Sequence, residues 1–253
     1  MNRRIVIFIC LSLLIVLFFY SVINRVMKLE SENSNDIVNN IETEPTDDAE
    51  LLYHELIDSI DVIDDGIEIY NYPIRPGMEE WTSLKTTTAI HSALQIPEKI
   101  LYGMSTRNLV NTVLDYPLFV TDLLSFGDLG NPFSAIDHIE NTFNGLSELL
   151  QRKDVGTELL IKYKEMDVEG IIQLFDADQY RSFEMGSQLT ATELLLAHKL
   201  VQNKLTEKEI IILNDAVAKN LEAKTKTQKG LFGLSISTYE DAIYYNKSVS
   251  SSK

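Results

Sequence analysis

From Ile5 to Ile23 the chain runs 19 residues without a charge, interrupted only by Ser12, Tyr20 and Ser21. A helix rises about 1.5 Å per residue, so this stretch covers most of a hydrocarbon core of about 30 Å. The run divides the chain: whatever follows it must fold as a separate unit. A cleaved secretory signal is the competing reading. Such signals have an apolar region of roughly 7–15 residues and a small-residue cleavage site. The stretch Tyr20-Ser-Val-Ile-Asn-Arg25 offers no site of that kind, so an uncleaved signal anchor is expected, with secretion after cleavage as the alternative. Cys10 follows Ile9 in the middle of the run and reads as an ordinary embedded cysteine, not a lipidated one. Arg3, Arg4 and the α-amino group precede the span, and Arg25 and Lys28 follow it. This bias slightly favours a cytoplasmic N-terminus and an external C-terminal part. The expected organisation is an anchor with flanks over 1–28, a polar acidic stalk over 29–47, a helical extracytoplasmic domain over 48–224 and a weakly structured tail over 225–253.

Charge separates the two parts. The basic residues Arg3, Arg4, Arg25 and Lys28 precede all 38 acids, which leaves 18 basic groups against 38 acidic ones, a net −20 beyond the anchor. That surface repels nucleic-acid phosphate and anionic headgroups, so nucleic acid is not an expected partner. Contact with the lipid bilayer is expected through residues 5–23, and a cell-envelope protein or polymer is the expected external partner. Cys10 is the sole cysteine. Disulfides and cysteine-bound metals are therefore excluded from the outer domain, which must be held by its core.

Residues 29–47 hold too little apolar surface to offset ordering entropy. Beyond them the apolar period is helical: Leu52, Leu56, Ile57, Ile60 and Ile63 first, after Thr46 and Asp47 as N-cap types. The stretch 67–77 alternates apolar and polar residues, and Pro73 and Pro76 make it an extended connector or a lone edge strand. One helix is expected from Glu79 to about Leu94. Pro97 and Ser105 open two more, and breaks fall at Asp115-Tyr116-Pro117 and Gly127–Pro132. Asn144-Gly145 reads as a helix stop. Asp154 and Asp167 read as caps. Thr190-x-x-Glu193 and Thr206-x-x-Glu209 read as capping boxes that open two late helices. A short strand is conceivable over Leu231–Ile236.

A search for chemistry returns little. No Gly-x-Ser-x-Gly or phosphate-binding glycine loop is present, and no two of His54, His91, His138 and His198 are four apart, as a zinc-protease helix requires. His54-Glu55-Leu-Ile-Asp58 lacks a third ligand and reads as a solvated helix start. His138-Ile-Glu140 lacks the cysteine pair of a zinc deaminase. His198 sits on an apolar stripe and reads as a hydrogen-bonded core histidine. Asp61–Gly66 and Asp176-Ala-Asp178 depart from a calcium loop. No cofactor or metal site and no catalytic residue is assigned. Tyr70, Tyr72 and Trp81 cluster around the proline-rich connector. Exposed, they form a candidate interaction patch; otherwise they pack the connector onto the helices.

Several motifs occur in fixed order: Pro73-Ile-Arg-Pro-Gly77, Glu80-Trp81-x-x-Leu84-x-Thr86, Leu94-Gln-Ile-Pro97 and Met104-Ser-Thr106-x-x-Leu109-Val110-x-Thr112-x-Leu114-x-Tyr116-Pro117. Phe143-Asn-Gly145-Leu-x-Glu148-Leu and Arg152-Lys-Asp154 follow. Over about residues 72–167 the chain thereby resembles a group of uncharacterised bacterial exported or membrane-anchored proteins with a similar Met-Ser-Thr…Leu-Val…Tyr-Pro segment. The resemblance implies export and a shared domain, and transfers no catalytic residue.

The expected fold is all-α: an N-terminal transmembrane helix, a flexible stalk, and an irregular array of about nine to eleven mostly short helices. The expected function is a cell-surface binding or structural module. The alternative is an envelope-polymer hydrolase that uses a pair of carboxylates across a groove.

Overall fold

The computed structural model describes residues 47–60, 69–128, 130–227 and 238–251. The expected anchor over 5–23, most of the stalk, Asp61–Gly66 and the strand over Leu231–Ile236 lie outside the described residues. Among the described residues the chain is all-helical, with an isolated antiparallel bridge between Asp128 and Asn131 as its extended pairing. Fourteen helices lie among the described residues, more than expected, because polar breaks subdivide the apolar runs. In chain order they are α1 (Asp47–Ser59), α2 (Glu79–Ser83), α3 (Thr87–Ala93), α4 (Glu98–Gly103), α5 (Thr106–Leu114), α6 (Phe119–Phe126), α7 (Ser134–Thr142), α8 (Asn144–Gln151), α9 (Val155–Glu165), α10 (Val168–Ala177), α11 (Gln179–Ala197), α12 (Lys199–Gln202), α13 (Glu207–Thr227) and α14 (Thr238–Ser251).

The core sits where α5, α8, α9 and α11 meet. Leu109 and Val113, Leu146 and Leu149, Leu159 and Leu160, and Leu195 and Leu196 are fully buried there. Each such side chain contributes roughly 1.5–3 kcal/mol by burial. Around this centre α6 packs on α7, α10 on α11, α14 on α11, and α1 on α13. Long cations tie helix ends together. Lys204 Nζ donates to the carbonyls of Leu150 (2.6 Å) and Arg152 (2.8 Å), satisfying carbonyl groups at the end of α8. Arg152 does the same for α4, donating to Leu101 O (3.1 Å) and Met104 O (3.3 Å).

Local signals were followed where nothing competed with them. Asp167 caps α10 by accepting from Gly170 N, and Ser105 caps α5 by accepting from Asn108 N. Thr206 and Glu209 form the expected capping box, with Thr206 N donating to Glu209 Oε2 at 2.7 Å. Other expectations fail: Asp154 stands at the N-cap position of α9 but makes no side-chain cap bond, its carboxylate accepting instead from Thr106 Oγ1 at 2.7 Å. The helix from Glu79 to Leu94 is two, α2 and α3, because Thr86 takes an extended conformation and its side chain caps α3 by accepting from Ala89 N. Thr190 and Glu193 open no helix; both lie inside α11, whose buried residues through Ala197 hold the helix continuous. Asn144-Gly145 starts α8 instead of stopping α7, and Gly145 is required by space: a Cβ there would collide with the Phe143 ring and stand 2.9 Å from Ile96 Cδ1. The tail expected to be weakly structured is helical over its described residues: α13 reaches Thr227, and α14 buries Thr238, Tyr239, Glu240 and Ala242.

Among the described residues no single helix is long and apolar enough to cross a membrane. The pair α5 and α6 is sufficiently apolar together but bent by 64°, and α5 belongs to the core.

Candidate metal centre

Residues 115–133 fold back on themselves. After α6, Gly130 N donates to Asp128 Oδ1 (2.8 Å), Phe133 N donates to Asn131 Oδ1 (3.0 Å), and Ser134 Oγ reaches back to Phe126 O (2.6 Å). These bonds turn the chain through the break and lay α7 against α6. Asp122 of α6 thereby comes to face His138 of α7.

A second clamp brings in α3. Gln95 Nε2 donates to His91 O (2.7 Å) and Thr142 O (2.9 Å), while its Oε1 accepts from Asn144 N (2.9 Å). The Asn144 side chain completes the tie, accepting from Ile96 N (2.9 Å) and donating to Ile96 O (2.8 Å). The end of α3 is thus bound to the α7–α8 joint, and His91 stands against His138 with ring centroids 6.0 Å apart, edge to face.

The result is a cluster of His91, Asp122 and His138 in which one ligand-capable atom of each lies within 4.8 Å of the others. Asp122 is only 4% exposed, and the two histidines are half-buried. Phe126 stacks on His138 at 3.6 Å. Asp122 Oδ2 and His138 Nε2 are both buried without a hydrogen-bond partner. A buried polar atom left unpaired costs about 1–3 kcal/mol, a cost that a bound water or ion between the two would offset. Burial pushes the Asp122 carboxyl above the usual carboxylate range, and the nearby His138 and His91 oppose that shift. Two imidazoles and a carboxylate are donors for a divalent transition ion. Sequence reading assigned no metal site because these residues sit on three helices with no characteristic spacing. The one local hint is an aspartate in the apolar run Phe119–Phe126.

The other histidines behave differently. His54 is exposed on α1 and lies 3.9 Å from Glu50, a solvated helix residue as read. His198 packs edge to face on Phe133 at 5.5 Å, but its buried Nδ1 has no hydrogen-bond partner, so the expected bond is missing there. Burial lowers its pKa, with Asp137 and Glu140 opposing.

Of the two alternatives for Tyr70, Tyr72 and Trp81, a displayed patch or packing of the connector, the structure shows packing. Tyr72 is buried, its hydroxyl donating to Thr112 O at 3.0 Å, and its ring meets Tyr70, Tyr116 and Phe143. Tyr70 and Trp81 are half-buried against the core. Arg75 lies over the Tyr72 ring and pairs with Asp115, which fixes the connector from outside. The three aromatics therefore pack the connector, because burial of their rings outweighs display.

A second polar cluster lies inside the core. Lys224 of α13 and Tyr163 of α9 both donate to Glu193 Oε1 of α11, the tyrosine at 2.9 Å. Glu240 of α14 is close enough to feel both Glu193 and Lys224, and burial pushes its pKa up to about 7. Two acids with one raised pKa meet the electrostatic half of a hydrolase requirement. Glu193 and Glu240 are nevertheless 2% and 8% exposed, sealed from any polymer. The open depression between α10 and α11 has a single carboxylate in its lining, Asp167, already engaged in capping.

No family model matches this chain, and no curated protein or solved structure matches it.

Proposed function

We propose that this chain is a binding module of the cell surface whose binding centre is a divalent transition-metal site formed by His91, Asp122 and His138. In this reading residues 5–23 anchor it in the membrane, the N-terminus is cytoplasmic and the helical domain lies outside. The observation that carries the metal reading is a three-donor cluster two of whose members, Asp122 and His138, each hold a buried atom without a hydrogen-bond partner, Oδ2 and Nε2. A metal ion satisfies both atoms at once and offsets the desolvation of the aspartate. The anchor rests on the length and apolarity of 5–23.

Zn²⁺ titration of the full chain in detergent tests the centre. One ion per chain is expected to resist removal by a weak chelator, and His91→Gln or His138→Gln should release it. Wild-type protein that is folded by circular dichroism yet takes up no stoichiometric Zn²⁺ refutes the reading. The anchor has its own test: a mature N-terminus mapping to residues 20–30 would show that the span is cleaved.

A further inference from the structure

We propose that α14 is a pH-sensitive strap: it lies docked on α11 while Glu240 holds a proton and is released when that proton leaves. The device is independent of the metal centre.

The geometry of the α11–α14 interface carries it. α14 packs principally on α11. Among its described residues Thr238, Tyr239, Glu240 and Ala242 are buried, so an acid is one of the few side chains that seat the helix. Gln202 Nε2 donates to the Tyr239 hydroxyl (3.1 Å), and Asn246 Nδ2 donates to Ala197 O (2.9 Å). Glu240 Oε1 is buried without a hydrogen-bond partner, and so is Glu193 Oε2 of α11. The groups that face Glu240 are Glu193 from α11, Lys224 from α13, Tyr163 from α9 and, on its own helix, Asp241. Lys224 and Tyr163 both donate to Glu193 Oε1. That arrangement suits one ionised carboxylate. A second, buried beside the first with an unpaired oxygen, is far costlier than its protonated form.

Burial first, and Glu193 after it, raise the Glu240 pKa from 4.5 to about 7, with Lys224 opposing. Tyr163 and Tyr239 keep their protons through this range, and burial lowers the pKa of His198 at the end of α11, so it is already neutral at pH 7. Below about pH 4.5 Glu240 is protonated whether α14 is docked or released. Between 4.5 and 7 the released helix gives up a proton that the docked one keeps, so docking weakens as pH rises. Above about pH 7 the weakening is complete. Release is local because Glu193 keeps Lys224 and Tyr163 when α14 leaves, and α5, α8, α9 and α11 still meet.

Amide hydrogen exchange on the full chain in detergent, expressed as protection factors at pH 6 and pH 8.5, tests the strap. Amides of α14 are expected to be less protected than those of α9. Their protection should fall about tenfold between the two pH values, the ratio set by a pKa of about 7 when docked and 4.5 when released. Glu240→Gln, or Glu240→Met if the amide does not fold, should keep the local opening and lose the pH dependence. Equal protection in α14 and α9 would mean that α14 leaves only when the whole domain unfolds. A fall that is missing from the wild type, or equally present in the variant, would mean that Glu240 does not govern docking. Either result overturns the proposal.

Discussion

Glu240→Gln isolates the energetic consequence of placing an acid inside the core. Glu240 is 8% exposed and its pKa is raised from 4.5 to about 7, first by burial and then by the charge of Glu193, with Lys224 opposing. Below about pH 4.5 the group is neutral in both folded and unfolded chains and contributes nothing. Between pH 4.5 and 7 the folded protein holds a proton that the unfolded chain has released, so stability falls as pH rises. Above about pH 7 the loss is complete, on the order of 3 kcal/mol for a shift of this size. Glutamine has the same shape and does not titrate. Any fixed cost of the amide is the same at every pH and cancels in the comparison. The variant should therefore gain about 2–3 kcal/mol relative to wild type between pH 5 and pH 8.5. With a urea slope of about 1–3 kcal/mol/M, that is a relative midpoint change on the order of 1 M or more. Urea unfolding followed by circular dichroism, on both proteins at both pH values, measures it. A difference between the two proteins that does not change with pH would refute the assignment of a buried, proton-holding Glu240.

Lys224→Met removes the cation from the buried Glu193 carboxylate and should cost about 3–5 kcal/mol; adding Glu193→Gln should recover part of that loss in the same unfolding assay, and no recovery would count against the pair. Gly145→Ala should destabilise by roughly 1–3 kcal/mol, because its Cβ meets Phe143 and Ile96; a neutral thermal melt would contradict the packing described at the α7–α8 joint. Asn144→Ala deletes both bonds to Ile96 and should weaken Zn²⁺ retention more than it lowers the melting temperature, since it loosens the placement of α3 relative to α7. Equal Zn²⁺ retention in that variant would mean that the clamp does not position His91.

Much of the helical architecture is legible locally. Pro97, the Asp115-Tyr116-Pro117 break, the 127–132 turn, the Asp167 cap and the Thr206–Glu209 box act through backbone geometry and hydrogen bonds spanning a few residues. Those forces are the same in any context where nothing opposes them. The misreadings fall where burial overrules a local pattern. Thr190-x-x-Glu193 has the residues of a capping box, yet Thr192 and Leu194–Ala197 are buried in α11, and Glu193 serves Lys224 and Tyr163 instead. Asn144-Gly145 has the composition of a helix stop, but Asn144 is bound to Ile96 and Gly145 makes room for Phe143.

The sequence alone determined that the described chain is helical, that the part beyond residue 28 is strongly acidic, and that cysteine chemistry has no place in that part, because periodicity, charge and composition are properties of the chain itself. The tertiary structure alone decided which polar residues meet. His91, Asp122 and His138 share no spacing. They converge because the 127–134 turn folds α7 onto α6 and the Gln95–Asn144 clamp ties α3 to the α7–α8 joint. Tyr72 became core and not display for the same kind of reason: whether an amphipathic ring faces water depends on what packs beside it, which is a fact about neighbours in space and not in sequence.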